Sequence, residues 1–364
     1  MTARGTVLVT GVSGNLGTRL LPFLSDFDVV GVDLRPPQEN TLAYFEEMDL
    51  GREASCLRLV DLLRETEAQA VIHLAFVLDP RKSDILDPER MWQINVAGTA
   101  RVMEAVSVVN RTGGEIRKFI YPSSVAAYGP ETNGFVKEDA PLRAHTLTYA
   151  IHKRESDEVV RYRADGLVDC RVYLLRPHIF TGRSVENYIV DALRGTALGN
   201  GKRAARMRAE GKRLPLMLPR DSKYLQKRFQ FIHIDDMARL ITLLLYRAGN
   251  DAPLTVLNVA GRGEPITIGR CAELAGATIK RAPSRAAFRS VLQFLWKFGI
   301  SSIPPDALPY LIGSYLMDTT RLQQFLGADY PRVIQYTVEE ALKDSFSSEQ
   351  SAVPGTDLSL RPSI

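Results

Sequence analysis

The chain has 364 residues, with 46 Lys and Arg against 42 Asp and Glu, a net charge of +4, 45% hydrophobic and 24% charged residues. This composition excludes a disordered or collagenous chain, and so small a net charge over this length does not argue for nucleic acid. No apolar run reaches the roughly 18 residues of a membrane-spanning helix, and Met1 to Gly5 lead straight into a strand-like run, so neither a membrane span nor a signal peptide is expected. Cys56, Cys170 and Cys271 lie too far apart for a disulfide framework or a metal cluster, which points to reduced core thiols in a cytoplasmic enzyme with no metal.

Short β-branched runs at 6–10, 28–33, 44–49, 71–75, 118–122 and 170–175 read as strands. Segments 16–25, 53–66, 89–110 and 148–164 carry apolar residues three and four apart and read as helices. This alternation predicts an α/β fold, a doubly wound parallel sheet covered by helices. After Arg176-Pro177 the rhythm breaks; a strand at 229–234, a helix at 235–248 and a strand at 255–259 resume it. Between Arg194 and Arg228 eleven Lys and Arg face only Glu210 and Asp221, the strongest local charge bias.

The first strand runs into Gly11, Gly14 and Gly17 at three-residue spacing, where strand turns into helix. Gly11 permits the turn, Gly14 lets backbone approach a pyrophosphate, and Gly17 lets the helix pack on the strand. The loop Gly11, Ser13, Gly14, Asn15, Leu16, Gly17 is therefore assigned to a dinucleotide. Asp33 ends the second strand, where a carboxylate binds both ribose hydroxyls of NAD and repels the 2′-phosphate of NADP, although Arg35 could partly compensate. NAD is favoured. The expected division is a Rossmann domain of residues 1–177 plus 229–260, a smaller C-terminal α/β substrate lobe of 178–228 plus 261–346, and a frayed tail at 347–364.

Tyr149 and Lys153 stand four residues apart on one helix face, a pairing that a solvated face would also produce. Their position after a strand ending Tyr121-Pro122-Ser123-Ser124 gives them weight, because open α/β sheets bind ligands at the carboxyl edge. A phenol of ordinary pKa near 10 is a poor base at neutral pH unless a neighbouring cation favours its ionised form. Lys153 and a nicotinamide are read as supplying that charge, Tyr149 as the acid/base and Ser124 as a hydrogen-bond donor to the same substrate oxygen.

These residues resemble the extended short-chain dehydrogenase/reductases, the NAD-dependent epimerase/dehydratase family, and in particular its UDP-glucose 4-epimerases. The likeness runs through Asp49-Leu50, His73-Leu74-Ala75, Asn95-Val96-x-Gly98-Thr99, Ser123-Ser124-x-x-x-Tyr128-Gly129, Tyr149-x-x-x-Lys153, Leu175-Arg176-Pro177, Phe231-Ile232-His233-Ile234-Asp235-Asp236 and Asn258-Val259-Ala260-Gly261. It implies that Asp49 and Leu50 lie near the adenine, Leu74 and Ala75 near the cofactor phosphates or ribose, and Pro177 near the nicotinamide. Asn95 would support its helix in the active site; His73 reads as a satisfied core histidine.

Departures from the family pattern narrow the chemistry. Dehydratases and decarboxylases of the family place acidic residues just after the active-site hydroxyl. Here Val125 and Ala126 occupy those places, so reversible oxidation, by an epimerase or a dehydrogenase, remains. A nucleoside-diphosphate sugar is the first substrate reading, with His178 and Arg228 as further binding candidates beside Ser124 and Tyr149. Yet the family's diphosphate-binding Asn is replaced by Ile179, and its Arg is displaced, giving Arg228-Phe229-Gln230-Phe231. That supports an apolar, steroid- or lipid-like alcohol or ketone, as does the apolar stretch 288–315 if it forms a lid rather than core. A non-enzymatic protein using the basic stretch to hold RNA or an acidic partner is the third reading, against which the intact Ser124, Tyr149 and Lys153 argue. Family relatives often dimerise through two helices, which here would be 89–110 and 148–164.

Overall fold

The computed structural model describes residues 5–38, 41–80, 83–248 and 250–347. Seven strands form the central sheet: β1 (Thr6–Thr10), β2 (Asp28–Asp33), β3 (Tyr44–Glu47), β4 (Ala70–His73), β5 (Lys118–Pro122), β6 (Arg171–Pro177) and β7 (Leu254–Val259). Their spatial order is β7-β6-β5-β4-β1-β2-β3, and all neighbours are parallel. The order reverses between β1 and β4, so the glycine loop after β1 and the loop after β4 open into the same crevice. Central strands read as unbroken apolar runs because helices cover both faces. One face packs α1 (Asn15–Leu20) and α5 (Ile234–Tyr246); the other packs α2 (Ser55–Glu65), α3 (Gly98–Arg111) and α4 (Thr148–Ala164).

Three elements differ from expectation. The first helix breaks at Leu20 and continues as a 3-10 turn, Leu21–Leu24, because Pro22 has no N–H to continue the α ladder. The expected helix 89–110 consists of Pro88–Trp92, a π turn Gln93–Ala97 and α3. The π turn carries Asn95, whose carbonyl accepts from Ser156 Oγ and Thr99 Oγ1. The expected strand 229–234 splits at Gln230, whose amide side chain bonds the backbone N–H and C=O of Met317. Arg228–Phe229 then pairs antiparallel with Ile266–Thr267 and Phe231–His233 parallel with Ile179–Thr181, so neither piece joins the central sheet.

The smaller C-terminal lobe adds a parallel pair, Leu216–Pro219 with Ile279–Ala282, and short helices around one apolar cluster. In the segment 288–315, Phe288, Leu292, Ile303, Leu308 and Tyr310 belong to that cluster, so packing accounts for most of it. The cluster also takes in Val125, Ala126 and Ala150 and packs against Tyr149, so the lobe meets the sheet just beyond the end of β5. The tail assigned to 347–364 lies, beyond Ser347, outside the described residues.

Candidate active site

Gly11 sits at φ +70°, and a Cβ there would lie 2.4 Å from Ala75 N; a Cβ at Gly17 would lie 2.4 Å from Val12 O. Both glycines are demanded by the protein's own packing. Gly14 is different: a Cβ would meet only Gly11 O, at 3.2 Å, and the residue is exposed. Its missing side chain leaves a backbone cradle on the crevice side, as a closely approaching pyrophosphate needs. Asn15 Nδ2 donates to Ser184 O at 2.6 Å, and Leu16 is half-buried against the sheet.

Asp33 accepts Ser13 N–H at 3.0 Å and Leu34 N–H at 2.7 Å, while Ser13 Oγ donates to Arg35 O at 2.6 Å, latching the glycine loop to the end of β2. Burial pushes the Asp33 carboxyl above its ordinary value and the two N–H donors pull it back. Asp49 accepts from Gly51 N and is ion-paired with Arg90 and Arg52; Leu50 is buried. Thr10 O accepts Leu74 N–H at 2.9 Å and Thr10 Oγ1 accepts Ala75 N–H at 3.3 Å, holding the loop after β4. His73 bonds Thr10 Oγ1 and Thr99 Oγ1, and burial with the nearby Lys153 pushes it down to about 3, a neutral core histidine. Asn95 works on the same loop from the other side: its Oδ1 accepts Val77 N–H at 2.6 Å and its Nδ2 donates to Val77 O at 3.1 Å.

Ser124 lies two residues beyond β5 and caps the turn Val125–Tyr128, its Oγ accepting Ala126 N–H at 3.1 Å. Tyr149 lies in the first turn of α4, and Phe76 meets it edge-on at 5.8 Å. Burial pushes the phenol up to about 12, with the neighbouring Ser124 hydroxyl pulling the other way. Lys153 Nζ donates to Pro122 O at 2.8 Å and lies 3.8 Å from the Phe76 ring centroid. Burial pushes that ammonium down to about 7, against the pull of Asp157. Ser124, Tyr149, Lys153 and Pro177 thus gather at the carboxyl ends of β5 and β6, across the crevice from the glycine loop. Ser123 Oγ is buried there with no hydrogen-bond partner among the described residues, an orphaned group suited to a cofactor or substrate atom.

The substrate candidates fare differently. His178 is buried, its Nδ1 accepts Ile179 N–H at 2.9 Å, and its Nε2 therefore carries the proton given to Tyr315 O at 3.1 Å. Burial pushes it down to about 3. Neither nitrogen is left for a substrate, and the ring stacks on Tyr315, so His178 is a packing residue here. Arg228 is exposed, its guanidinium 5.9 Å from the Phe135 ring, and among the described residues no hydrogen bond ties it to Ser124, Tyr149 or Lys153. The lobe side of Tyr149 is aromatic instead: Tyr310 donates to Ala126 O, Tyr315 donates to Tyr310 O, and Phe229 packs 5.7 Å from Tyr315.

Sequence reasoning missed the support beneath α4. Arg176 Nε and a terminal nitrogen each donate to Asp157 at 2.8 Å, with both side chains fully buried. Its other terminal nitrogen donates to Tyr128 OH and Glu138 O, and Tyr128 OH donates to Asn258 Oδ1. A charged residue inside the apolar run of β6 was the available signal, because a buried guanidinium must find a carboxylate.

The chain matches the NAD dependent epimerase/dehydratase family over residues 7–260. An uncharacterised epimerase/dehydratase of Staphylococcus aureus is 24% identical over 163 residues, 43% of this chain and 47% of that protein, so the match spans about half of the relative's length. Among solved structures, MoeE5 in complex with UDP-glucuronic acid and NAD has a TM-score of 0.64 at 22% identity, covering 94% of this chain and 98% of that one. The UDP-glucose 4-epimerase of Thermotoga maritima, solved with UDP-glucose, has a TM-score of 0.63 at 17% identity, covering 94% and 97%. At these identities the structural likeness shows the fold, and the extent of the family match shows the membership: this chain belongs to the NAD-dependent epimerase/dehydratase family, enzymes of the extended short-chain dehydrogenase/reductase type whose cofactor is NAD.

Proposed function

We propose that this protein oxidises a secondary hydroxyl reversibly by hydride transfer, as an NAD-dependent epimerase or dehydrogenase. The observation that carries the reading is Tyr149 beside the Ser124 hydroxyl, across the crevice from a glycine loop with a cradle at Gly14. The loop residues Gly11 to Gly17 and Asp33 would hold NAD, which supplies the hydride acceptor and a positive charge when bound. Ser124 would donate to the substrate oxygen, and Tyr149 would take the hydroxyl proton. Lys153 would leave its ring contact with Phe76 for the ribose. Val125 and Ala126 carry no group able to move a proton, which speaks against water or carbon dioxide loss.

A nucleoside-diphosphate sugar as substrate is supported by the neighbours solved with UDP-glucuronic acid and UDP-glucose. The second reading, an apolar alcohol or ketone, is supported by Ile179, Phe229 and the fully engaged His178. A small cavity of about 70 Å³ lies beyond Phe229, lined chiefly by Leu193, Leu216, Leu218, Phe288 and Leu292, with none of Ser124, Tyr149 and Lys153 in its wall. A homodimer through α3 and α4 and a cytoplasmic location stay part of the proposal; no helix among the described residues is long and apolar enough to cross a membrane. The test follows nicotinamide absorbance and fluorescence while nucleotide sugars, then steroid and long-chain secondary alcohols, are added. Reduction that Tyr149→Phe lowers by roughly 10²- to 10⁴-fold, with NAD binding retained, is expected. Full activity in that variant would overturn the reading.

A further inference from the structure

We propose that the surface formed by the helix Arg285–Lys297 and the helix Lys202–Ala209 is a docking site for an anionic phospholipid bilayer. It stands independently of the substrate. The first helix has two faces: Phe288 and Leu292 are buried toward the cavity, while Phe294 and Phe298 are 49% and 57% exposed and pack together with ring centroids 4.5 Å apart. Trp296 between them is half-buried. Two neighbouring bulky aromatics left in water one turn apart form a patch rather than a scattered exposure.

The second helix is fixed beside that pair. Gly201 N donates to Gly299 O at 2.8 Å and Gly199 N to Ile300 O at 3.1 Å. A Cβ at Gly199 would lie 2.0 Å from Gly299 O and one at Gly201 2.7 Å from Phe298 O, so only glycine lets the two segments meet. Ala204 and Met207 then pack against Ile300 and Leu295. Lys202 and Arg203, directly after Gly201, therefore start beside Phe298.

The charge is one-sided. Across 199–213 and 280–298 the sequence places eleven Lys and Arg against the single acid Glu210. Some are structural: Arg208 donates to Ala197 O and Gly199 O, Arg213 to Arg194 O and Ala275 O, and Arg281 to Pro219 O. Arg206 and Lys212 share Glu210, and Arg289 reaches Asp306. Lys202, Arg203, Lys280, Arg285 and Lys297 are exposed and have no ion pair among the described residues.

Exposed aromatics flanked by the unpaired cations Lys202, Arg203 and Lys297 match an interface of acyl chains under anionic headgroups, the cations drawn to phosphate while the rings enter the acyl boundary. A second copy fits worse, because a two-fold contact through this patch would set these cations against themselves. Single-stranded nucleic acid fits worse too, because the two rings, tilted 44° against each other, occupy the faces a base would stack on.

Full-length protein is sedimented with vesicles of phosphatidylcholine alone and of phosphatidylcholine mixed with phosphatidylglycerol, at low and high salt. Binding confined to the mixed vesicles, weakened by salt and reduced about tenfold or more by Phe294→Ser with Phe298→Ser, is expected. NAD binding by that variant, measured by fluorescence, verifies that it folds; Lys202→Glu with Arg203→Glu gives a second route to the same loss. No preference for the mixed vesicles overturns the proposal, as does binding that survives loss of both rings. Self-association in light scattering that the ring variant abolishes assigns the patch to a second copy and overturns it as well.

Discussion

Tyr149 divides two surfaces of opposite chemistry. On the cofactor side, backbone N–H groups, Gly14, Asp33 and the orphaned Ser123 hydroxyl face the crevice, and short hydrogen bonds between Ser13, Asp33 and Arg35 hold the loop in shape. On the lobe side, Phe229, Tyr310 and Tyr315 pack on one another, and the polar groups present are already bonded to one another or to backbone. The contrast teaches that one residue serves two environments. A polar, preformed wall suits an invariant charged cofactor, while an apolar wall raises the phenol's pKa and selects what reaches it.

The largest effect on this division comes from beneath α4. Asp157→Ala leaves the Arg176 guanidinium buried without its carboxylate and is expected to cost about 3–5 kcal/mol, read as a lower urea midpoint. A change below about 1 kcal/mol would mean that the pair does not fix the helix carrying Tyr149.

The cofactor wall separates two kinds of glycine. Gly11→Ala forces a Cβ into Ala75 and should lower Tm strongly, whereas Gly14→Ala should keep Tm close to wild type and weaken NAD binding by roughly tenfold or more. Equal NAD affinity in Gly14→Ala, by fluorescence titration, would remove the cradle from the cofactor side.

Lys153 carries a pH dependence. Its folded pKa of about 7 lies below the unfolded value of about 10.4, so between them the unfolded chain binds the extra proton and stability rises with pH. Below about pH 7 the full cost of the buried ammonium is present, and above about pH 10 it is gone. Lys153→Met should flatten this part of the Tm–pH curve; an unchanged slope would show that the ammonium is solvated. The smallest effect belongs to Arg228→Ala, expected to move stability by less than about 0.5 kcal/mol. A raised KM for a nucleotide sugar in that variant would return Arg228 to the substrate side.

The glycine spacing, Asp33, and the Tyr149–Lys153 pair with Ser124 were legible in the sequence, because each depends on neighbours along one strand, turn or helix. The seven parallel strands were legible for the same reason, since burial on both faces leaves an apolar run. Even so, Pro22 and the π turn at Asn95 altered two helices, and Gln230 split a strand through a contact 87 residues away.

What the chain's order alone determined, then, is the glycine loop latched to Asp33 and the placing of Tyr149 and Lys153 four residues apart after the strand that leads to Ser124. Only the tertiary structure decided that Lys153 rests on Phe76, that His178 is neutral and fully bonded, that Arg176 meets Asp157, and which cations of the basic stretch are tied to carbonyls. The physical reason is range. A phosphate loop is specified by backbone geometry over a few residues, whereas burial, pKa and the occupant of each hydrogen bond depend on side chains brought together from segments far apart in sequence.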